Sequence, residues 1–365
     1  MVKIKDWRKR RGKRYRLEAI LLLLCAGLLC GKRGPTSISR WAKKLPYQLR
    51  CQLGFKAGII PSASTLCRML WHLDVDQLEQ KLSEWVSQVN SHLAQAGVRQ
   101  RIAIDGKKLR GALKRGGQRS HLLSAVDHQL KTVLAQLAVE EDSNEIRAIL
   151  PLLEVLHLNG CIVTVDAILT QREVAQTIVA ANGYYVMFAK DNHPTLKDDI
   201  ETLFILPPVA GEVINSAKTI NKGHGRLEIR EIETTSLLKD FSDWPGLQQS
   251  FKLTRTTKYL KSGQQTTEVV YGFTNLPEGI ASPAFLLEVI RGHWTIENQL
   301  HWVRDVSFGE DAASFHKNHA PQAFATLRNL ALTLIRAAGF DCVPEAFDTF
   351  SAQPALACQL LGLLG

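Results

Sequence analysis

The chain has 365 residues, of which 45% are apolar and 22% are charged. This balance is ordinary for a globular protein of two or three domains and excludes a disordered or fibrous chain. The net charge of +10 favours a polyanionic partner, because Lys and Arg release counterions when they contact phosphates; a merely basic protein is the alternative.

The N-terminus is strongly basic. The first seventeen residues carry nine Lys or Arg side chains and one Asp. Charges of one sign at this density repel each other unless an anion neutralises them. We therefore predict a basic arm that contacts DNA, with a solvated tail as the alternative. The candidate contact residues are Arg8, Arg10, Arg11, Lys13 and Arg14.

An apolar run over residues 19–30 follows the basic arm. The run is too short to cross about 30 Å of hydrocarbon and has no small-residue cleavage site, so we predict a buried helix that stops at Gly31, and no membrane partner. The seven cysteines are odd in number, are scattered, and include no CxxC pair. They indicate reduced thiols and a cytoplasmic protein.

Helical spacing continues up to residue 98. One segment opens near Ser64, and Asp74 is placed to cap the next, in which Leu78, Leu82 and Trp85 recur on one face. We therefore predict an all-helical N-terminal domain over residues 1–98.

The hydrophobic period changes near residue 99. The predicted elements are a strand ending at Asp105, a hairpin that turns near His128, a helix from Ser143 to Gly160, an apolar strand ending at Asp166, a helix and a further strand. This order predicts an α/β fold, with a mixed sheet flanked by helices, whose first part covers residues 99–205.

Residues 206–284 have the polar, β-rich pattern of strands, and helical spacing returns over residues 285–340. Residues 341–365 are predicted to form a tail. The polar β segment is therefore predicted to be an insertion that splits the sheet domain.

Two acids follow apolar strands. Asp105 and Asp166 each stand at a predicted strand end, where α/β proteins place reactive groups. Neighbouring carboxylates repel each other unless a cation lies between them, and a third carboxylate, Glu297, would complete a site for two Mg²⁺ ions about 3.5–4 Å apart. An Asp at a strand end is more often a turn or helix cap, and this alternative remains open.

Glu297 lies in the stretch "RGHWTIENQLHWVRD". At 100° per residue, Ile290, His293, Glu297, His301 and Arg304 fall within about 40° of one direction, which predicts one largely polar helix face. His293, Glu297 and His301 also have a spacing that zinc sites use, so a zinc hydrolase is a rival interpretation.

Several motifs, in order, resemble one family. The segments "IAIDGKKLRGA", "IVTVDA", "GHGRLEIR" and "IRGHWTIENQLHWVRDVSFGEDA" look like the DDE transposases of bacterial insertion sequences, in the ISAs-type subgroup that includes the H-repeat-associated proteins. The resemblance implies an RNase H-like core with a β-rich insertion before the glutamate helix. It also implies Asp105, Asp166 and Glu297 as a catalytic triad that binds Mg²⁺, with Mn²⁺ as a substitute.

The wider superfamily often carries Tyr, Arg, Glu and Lys on the glutamate helix. Here Ile290, His293, Glu297 and Arg304 stand at those positions, so no tyrosine hydroxyl is available, while His293 and Arg304 are expected to contact phosphate. Trp294 and Trp302 are expected to be core residues, with base stacking as the alternative.

Further cations complete the expected DNA surface. Lys107 is placed either to contact phosphate or to stay solvated, while His224, Arg226 and Arg230 are expected to share one strand face. The expected partners are double-stranded DNA at terminal inverted repeats, target DNA, and a second copy of the chain bound to that DNA. A non-catalytic DNA-binding protein derived from a transposase is the remaining alternative.

Overall fold

The structure, a computed structural model, describes residues 4–9, 13–93, 98–110, 121–139, 145–206, 214–313 and 317–363. The chain forms two compact units. The helical unit comprises residues 1–95, 106–144 and 296–365, and the sheet unit comprises residues 96–105 and 145–295.

The elements follow in chain order. The helices are α1 (Leu17–Leu29), α2 (Pro35–Lys43), α3 (Tyr47–Gln52), α4 (Ala63–Trp71), α5 (Val75–Leu93), α6 (Glu145–Glu154), α7 (Arg172–Ala180), α8 (Pro194–Ile205), α9 (Pro283–His293), the π-helices π1 (Glu297–His301) and π2 (Val303–Ser307), α10 (Ala320–Ala337), α11 (Val343–Ala352) and α12 (Pro354–Leu360). The strands are β1 (Arg101–Lys108), β2 (His121–Asp127), β3 (Val133–Ala138), β4 (Ile162–Val165), β5 (Tyr184–Ala189), β6 (Asn215–Gly223), β7 (Arg226–Thr235), β8 (Gln249–Tyr259) and β9 (Gln265–Thr274).

The apolar helix α1 is buried, as predicted, and packs against α10. It ends at a glycine in the left-handed region, Gly31, with φ of +69°. The Gly31 N–H donates to the Leu28 carbonyl and the Lys32 N–H donates to the Gly27 carbonyl, which is the Schellman pattern of helix termination. In the part of the chain that the structure describes, no helix is both long and apolar enough to cross a membrane.

The cap of α5 is also confirmed. The Gln77 N–H donates to Asp74 Oδ1 over 3.0 Å, so Asp74 satisfies one of the first orphan amides of the helix. The Gln77 side chain accepts from the Lys5 N–H over 2.6 Å, which ties the basic arm to this helix end.

The sheet unit contains seven strands in the order β1-β4-β5-β9-β8-β7-β6. β1, β4 and β5 are parallel, and the remaining pairs are antiparallel, so the sheet is mixed, as predicted. Strands β6 to β9 form a four-stranded meander in the segment expected to be β-rich. At its base Ile232, Phe251 and Leu253 pack with Leu286 and Val289 of α9 in one buried core.

Two local predictions are wrong. β1 continues to Lys108, so Asp105 lies within the strand and not at its end. α6 ends at Glu154, well before Gly160, and its expected start at Ser143 lies outside the described residues. The expected hairpin in the helical unit is confirmed, since β2 pairs antiparallel with β3.

Candidate active site

Two carboxylates lie side by side in the sheet unit. Ile104 of β1 is paired with Val165 of β4, so the next residues, Asp105 and Asp166, occupy neighbouring positions on parallel strands and point to the same face. Asp166 directly follows β4, and its Oδ1 accepts a 2.6 Å hydrogen bond from the Ala167 N–H. Asp166 therefore also caps the short turn that follows, yet its side chain remains 53% exposed.

A histidine borders both aspartates. His293, the last residue of α9, has its Nδ1 at 2.9 Å from Thr164 Oγ1, and that hydroxyl donates to the Ile102 carbonyl. Because the hydroxyl has only one proton, Nδ1 carries the imidazole proton and donates. Burial lowers the pKa of His293, and the charges of Asp105 and Asp166 only partly offset this effect. The imidazole is therefore neutral near pH 7.

Glu297 belongs to the helical unit, where it begins π1 and is exposed to solvent. The Trp302 N–H donates to the Glu297 carbonyl five residues earlier, and the Phe308 N–H does the same with Val303. These wider turns shift the side chains away from the α-helical spacing.

The predicted common face is wrong only in part. Ligand atoms of Glu297 and His301 lie within 4.8 Å of each other, so these two side chains share a face as predicted, whereas Ile290 is buried in the core and Arg304 is buried in an ion pair. The prediction assumed 100° per residue across a segment that is not α-helical.

Arg304 does not contact DNA as predicted, because its side chain is fully buried. Its Nε and Nη2 atoms each lie 2.8 Å from Glu310 Oε2, and Arg328 Nη1 lies 2.8 Å from the other oxygen of Glu310. The positive charge at this position is therefore structural. A buried guanidinium has no surface on which a phosphate could lie.

Lys107 is likewise unavailable for the expected phosphate contact. Its side chain is 10% exposed, and its Nζ lies 2.5 Å from Asp305 Oδ2. Arg336 Nη2 donates to Gln299 Oε1 over 2.6 Å. Both contacts hold the segment that carries Glu297, so these cations fix the backbone of the glutamate segment.

Both tryptophans of the glutamate segment are more exposed than predicted. Trp294 is 52% exposed and Trp302 is 53% exposed, so the expectation that they are core residues is wrong. The Arg255 guanidinium lies 5.9 Å from the Trp294 ring centroid and covers part of one face.

The predicted cations of the β meander are partly neutralised. Arg226 and Arg230 share a face of β7, as expected, but each lies 2.6 Å from a carboxylate oxygen of Glu228 between them. Their charge and hydrogen bonds hold the pKa of Glu228 below its usual range, although its partial burial works in the opposite direction. His224 lies in the turn before β7, with φ of +50°, and not on the strand.

The basic arm shows two kinds of cation. Arg8 bonds to both carboxylate oxygens of Asp6 and donates to the Tyr15 carbonyl, and its side chain is only 12% exposed. Because its guanidinium is already bonded within the chain, Arg8 is poorly placed for the DNA contact that was predicted for it. Lys13 and Arg14 are exposed, although Lys13 Nζ also lies 3.6 Å from Asp6 Oδ2. Arg10 and Arg11 lie outside the described residues.

Sequence reasoning missed Thr164 and Gln136. Each is a polar residue inside an otherwise apolar strand, "IVTV" or "VLAQLA", and each is buried. A buried polar side chain requires a hydrogen-bond partner, which was the available signal. Thr164 bonds to His293, and Gln136 bonds to Arg304 over 3.1 Å.

The structure has a mixed sheet with neighbouring aspartates on parallel strands and a helical N-terminal region. The sequence motifs led us to expect this arrangement in a transposase. Residues 96–334 match the family described as Transposase DDE domain, and residues 1–86 match the family described as DDE_Tnp_1-associated. The chain belongs to the DDE transposase family of insertion sequences.

The similar proteins include two from Escherichia coli. "Putative transposase YncI" of strain O157:H7 is 28% identical over 93% of this chain and 86% of its own length. "H repeat-associated putative transposase YhhI" of strain K12 is 27% identical over 91% of this chain and 88% of its own. A Xanthobacter autotrophicus protein encoded in the dhlA 3′ region is 31% identical over 65% of this chain and 80% of its own length.

Proposed function

We propose that the chain binds the ends of an insertion sequence and catalyses metal-dependent phosphodiester cleavage and strand transfer. The observation that carries this proposal is the register of Asp105 beside Asp166, on parallel strands within the region that matches the transposase family.

The donor chemistry fits a divalent cation. Asp105 and Asp166 present carboxylate oxygens on one face, and oxygen is the ligand type that Mg²⁺ and Mn²⁺ prefer. We propose that Glu297 supplies the third carboxylate. When bound, two such ions supply a more acidic nucleophilic oxygen and stabilise the leaving oxygen.

The remaining residues of the site bind and orient the DNA. We propose that neutral His293 orients the DNA backbone through a bridging water: its one N–H is donated to Thr164, so Nε2 accepts a hydrogen bond from a water that in turn donates to the phosphate. Lys190 Nζ lies 4.0 Å from Asp166 Oδ1 and is 57% exposed, so it is placed to contact a phosphate. Lys13, Arg14 and the end of the β meander at His224 extend the contact surface.

The architecture follows the family. We propose an RNase H-like core formed by residues 99–205 and 285–340, interrupted by the β-rich insertion 206–284. A helical DNA-binding domain, 1–98, precedes it and a tail, 341–365, follows it. We further propose a homodimer on DNA with one active site per transposon end, in the cytoplasm and on the nucleoid. A mass measurement on the end-bound complex tests the dimer.

The catalytic assignment is tested with isosteric variants on labelled DNA ends, whose inverted repeats are read from the DNA that flanks the coding region. Asp105→Asn, Asp166→Asn and Glu297→Gln should abolish cleavage, leave end binding intact, and weaken Mn²⁺ binding measured by calorimetry. The matched control is Asp191→Asn, since Asp191 is almost fully exposed and bonds only to Lys197 among the described contacts.

Two outcomes would favour the alternatives. Wild-type protein that binds ends and never cleaves them, with Mg²⁺ or Mn²⁺ present, would favour a non-catalytic DNA-binding protein. Stoichiometric zinc in the purified protein would favour the zinc hydrolase.

A further inference from the structure

A buried polar network runs through the helical unit. Its members come from α5, β3, π2, the loop after π2 and α10, and each residue is at most 6% exposed. The members that link α5 to π2 and α10 are Glu79, Gln136, Arg304, Glu310, Thr326 and Arg328. Polar side chains are costly to bury unless they are bonded, so a network of this size has to be held in one arrangement.

Glu79 is the end of the network on α5, within the N-terminal region that matches a separate family. Its Oε1 accepts from Gln136 Nε2 over 2.9 Å and from Thr326 Oγ1 over 2.8 Å. Its Oε2 accepts from Gln322 Nε2 over 3.1 Å. Three donors from two other elements, β3 and α10, therefore converge on the Glu79 carboxyl group. Glu79 belongs to the helical unit, whereas Asp105 and Asp166 belong to the sheet unit.

Gln136 connects this carboxyl group to π2. While its amide nitrogen donates to Glu79, its Oε1 accepts from Arg304 Nη1 over 3.1 Å and from Asn329 Nδ2 over 2.8 Å. A side-chain amide with both ends bonded has a fixed orientation, because turning it over would place donor against donor and acceptor against acceptor.

Arg304 is the end of the network on the glutamate segment. It lies on π2, which follows π1 directly, and π1 begins at Glu297. Its ion pair with Glu310 is inaccessible to solvent, and removing one partner of such a pair leaves an uncompensated buried charge. Arg304 is therefore held strongly, and the backbone of π2 is held with it.

We propose that Glu79 is a positioning residue for Glu297: through Gln136 and Arg304 it fixes the π-helical segment, 297–307, from which the Glu297 carboxylate projects. The role of Glu297 itself rests on the function proposed above. The N-terminal helical region thus contributes to the geometry of the catalytic segment as well as to DNA binding. A carboxylate displaced by about 1 Å can lower a reaction rate by about 100-fold, so a remote anchor of this kind affects catalysis.

The test compares two changes at one position with a control on the same helix. Glu79→Ala removes every acceptor, whereas Glu79→Gln keeps the Oε1 acceptor for Gln136 and Thr326 and needs only Gln322 to turn its amide. The control is Glu84→Gln, since Glu84 is exposed on α5 and pairs with Lys81. The measurements are hydrogen–deuterium exchange of residues 297–307, the affinity for labelled DNA ends, and the cleavage rate at saturating DNA and Mg²⁺.

We expect Glu79→Ala to raise exchange in 297–307 while exchange in α9 stays at the wild-type level. The cleavage rate should fall by about 10- to 100-fold with end affinity unchanged, and Glu79→Gln should restore most of the rate. Unchanged exchange in 297–307, or a wild-type cleavage rate despite raised exchange, would overturn the inference. If Glu79→Ala does not fold, Gln136→Leu cuts the same connection with a side chain of similar size.

The exchange measurement separates this inference from the proposed function. Hydrogen–deuterium exchange is measured on the protein without DNA. If the chain never cleaves DNA, the proposed function is wrong, but the exchange of residues 297–307 still shows whether Glu79 holds that segment in place.

Discussion

Arg304 and Glu310 form a buried ion pair. Two guanidinium nitrogens of Arg304 lie 2.8 Å from one carboxylate oxygen of Glu310, and both residues are under 5% exposed. Arg328 completes the group through the second oxygen of Glu310. Burial alone would raise the pKa of Glu310, but the two guanidinium charges outweigh it and hold the pKa below its usual range.

Glu310→Gln should be strongly destabilising, because it leaves two buried guanidinium groups without a carboxylate. We expect a loss of about 3–5 kcal/mol in the free energy of unfolding, measured by urea denaturation. Glu268→Gln is the matched control, since Glu268 pairs with Arg255 but is 63% exposed, and it should change stability by less than about 1 kcal/mol. Equal losses in the two variants would contradict the structural role of Glu310.

The stability of the protein should depend on pH through Glu79. Burial raises the pKa of Glu79 to about 7, an effect that the bonds from Gln136, Thr326 and Gln322 reduce and the nearby Asp76 charge increases. The unfolded chain loses this proton near pH 4.5, so between about pH 4.5 and 7 the folded state binds more protons and stability falls as the pH rises. The difference corresponds to about 3 kcal/mol.

Urea denaturation between pH 4 and 8 checks the effect. Glu79→Gln cannot titrate, so its stability relative to wild type should increase across the same pH window and become constant above it. Parallel pH curves for the two proteins would show that the pKa of Glu79 in the folded state is not raised above its value in the unfolded chain.

Lys13 and Arg14 should carry the salt dependence that the basic arm contributes to DNA binding. Because each is exposed, replacing both with Ala should reduce the slope of log K against log salt by about 2. Arg8→Ala is the comparison, since Arg8 is already bonded to Asp6 and the Tyr15 carbonyl, and its slope should stay close to wild type. A larger slope change for Arg8→Ala than for the double variant would place the phosphate contacts elsewhere in the arm.

Glu228→Gln should strengthen the binding of DNA. In the wild type, Glu228 lies between Arg226 and Arg230 and neutralises part of their charge. The amide removes that charge, so affinity at low salt should rise and the salt dependence should become steeper, as measured by fluorescence anisotropy on an end duplex. Glu231→Gln is the control, because Glu231 pairs with Lys218 on the opposite face of the strand. If only Glu231→Gln raises the affinity, DNA binds to that opposite face.

Local signals were read correctly from the sequence alone. The Schellman end of α1 at Gly31, the Asp74 cap of α5 and the β2–β3 hairpin each depend on residues a few positions apart. Asp166 was predicted at the end of β4 for the same reason, because the residue patterns of strands and turns depend on contiguous residues.

Only the tertiary structure determined which partners the charged and polar side chains contact. Arg304 contacts Gln136 across 168 positions, Gln136 contacts Glu79 across 57, and Thr164 contacts His293 across 129. A sequence pattern shows that a side chain is cationic, but whether it meets a buried acid or a phosphate depends on which distant elements pack beside it. The π-helical turns were hidden for a related reason, because their wider hydrogen bonding is fixed by the packing of the 297–307 segment and not by the helix propensity of its residues.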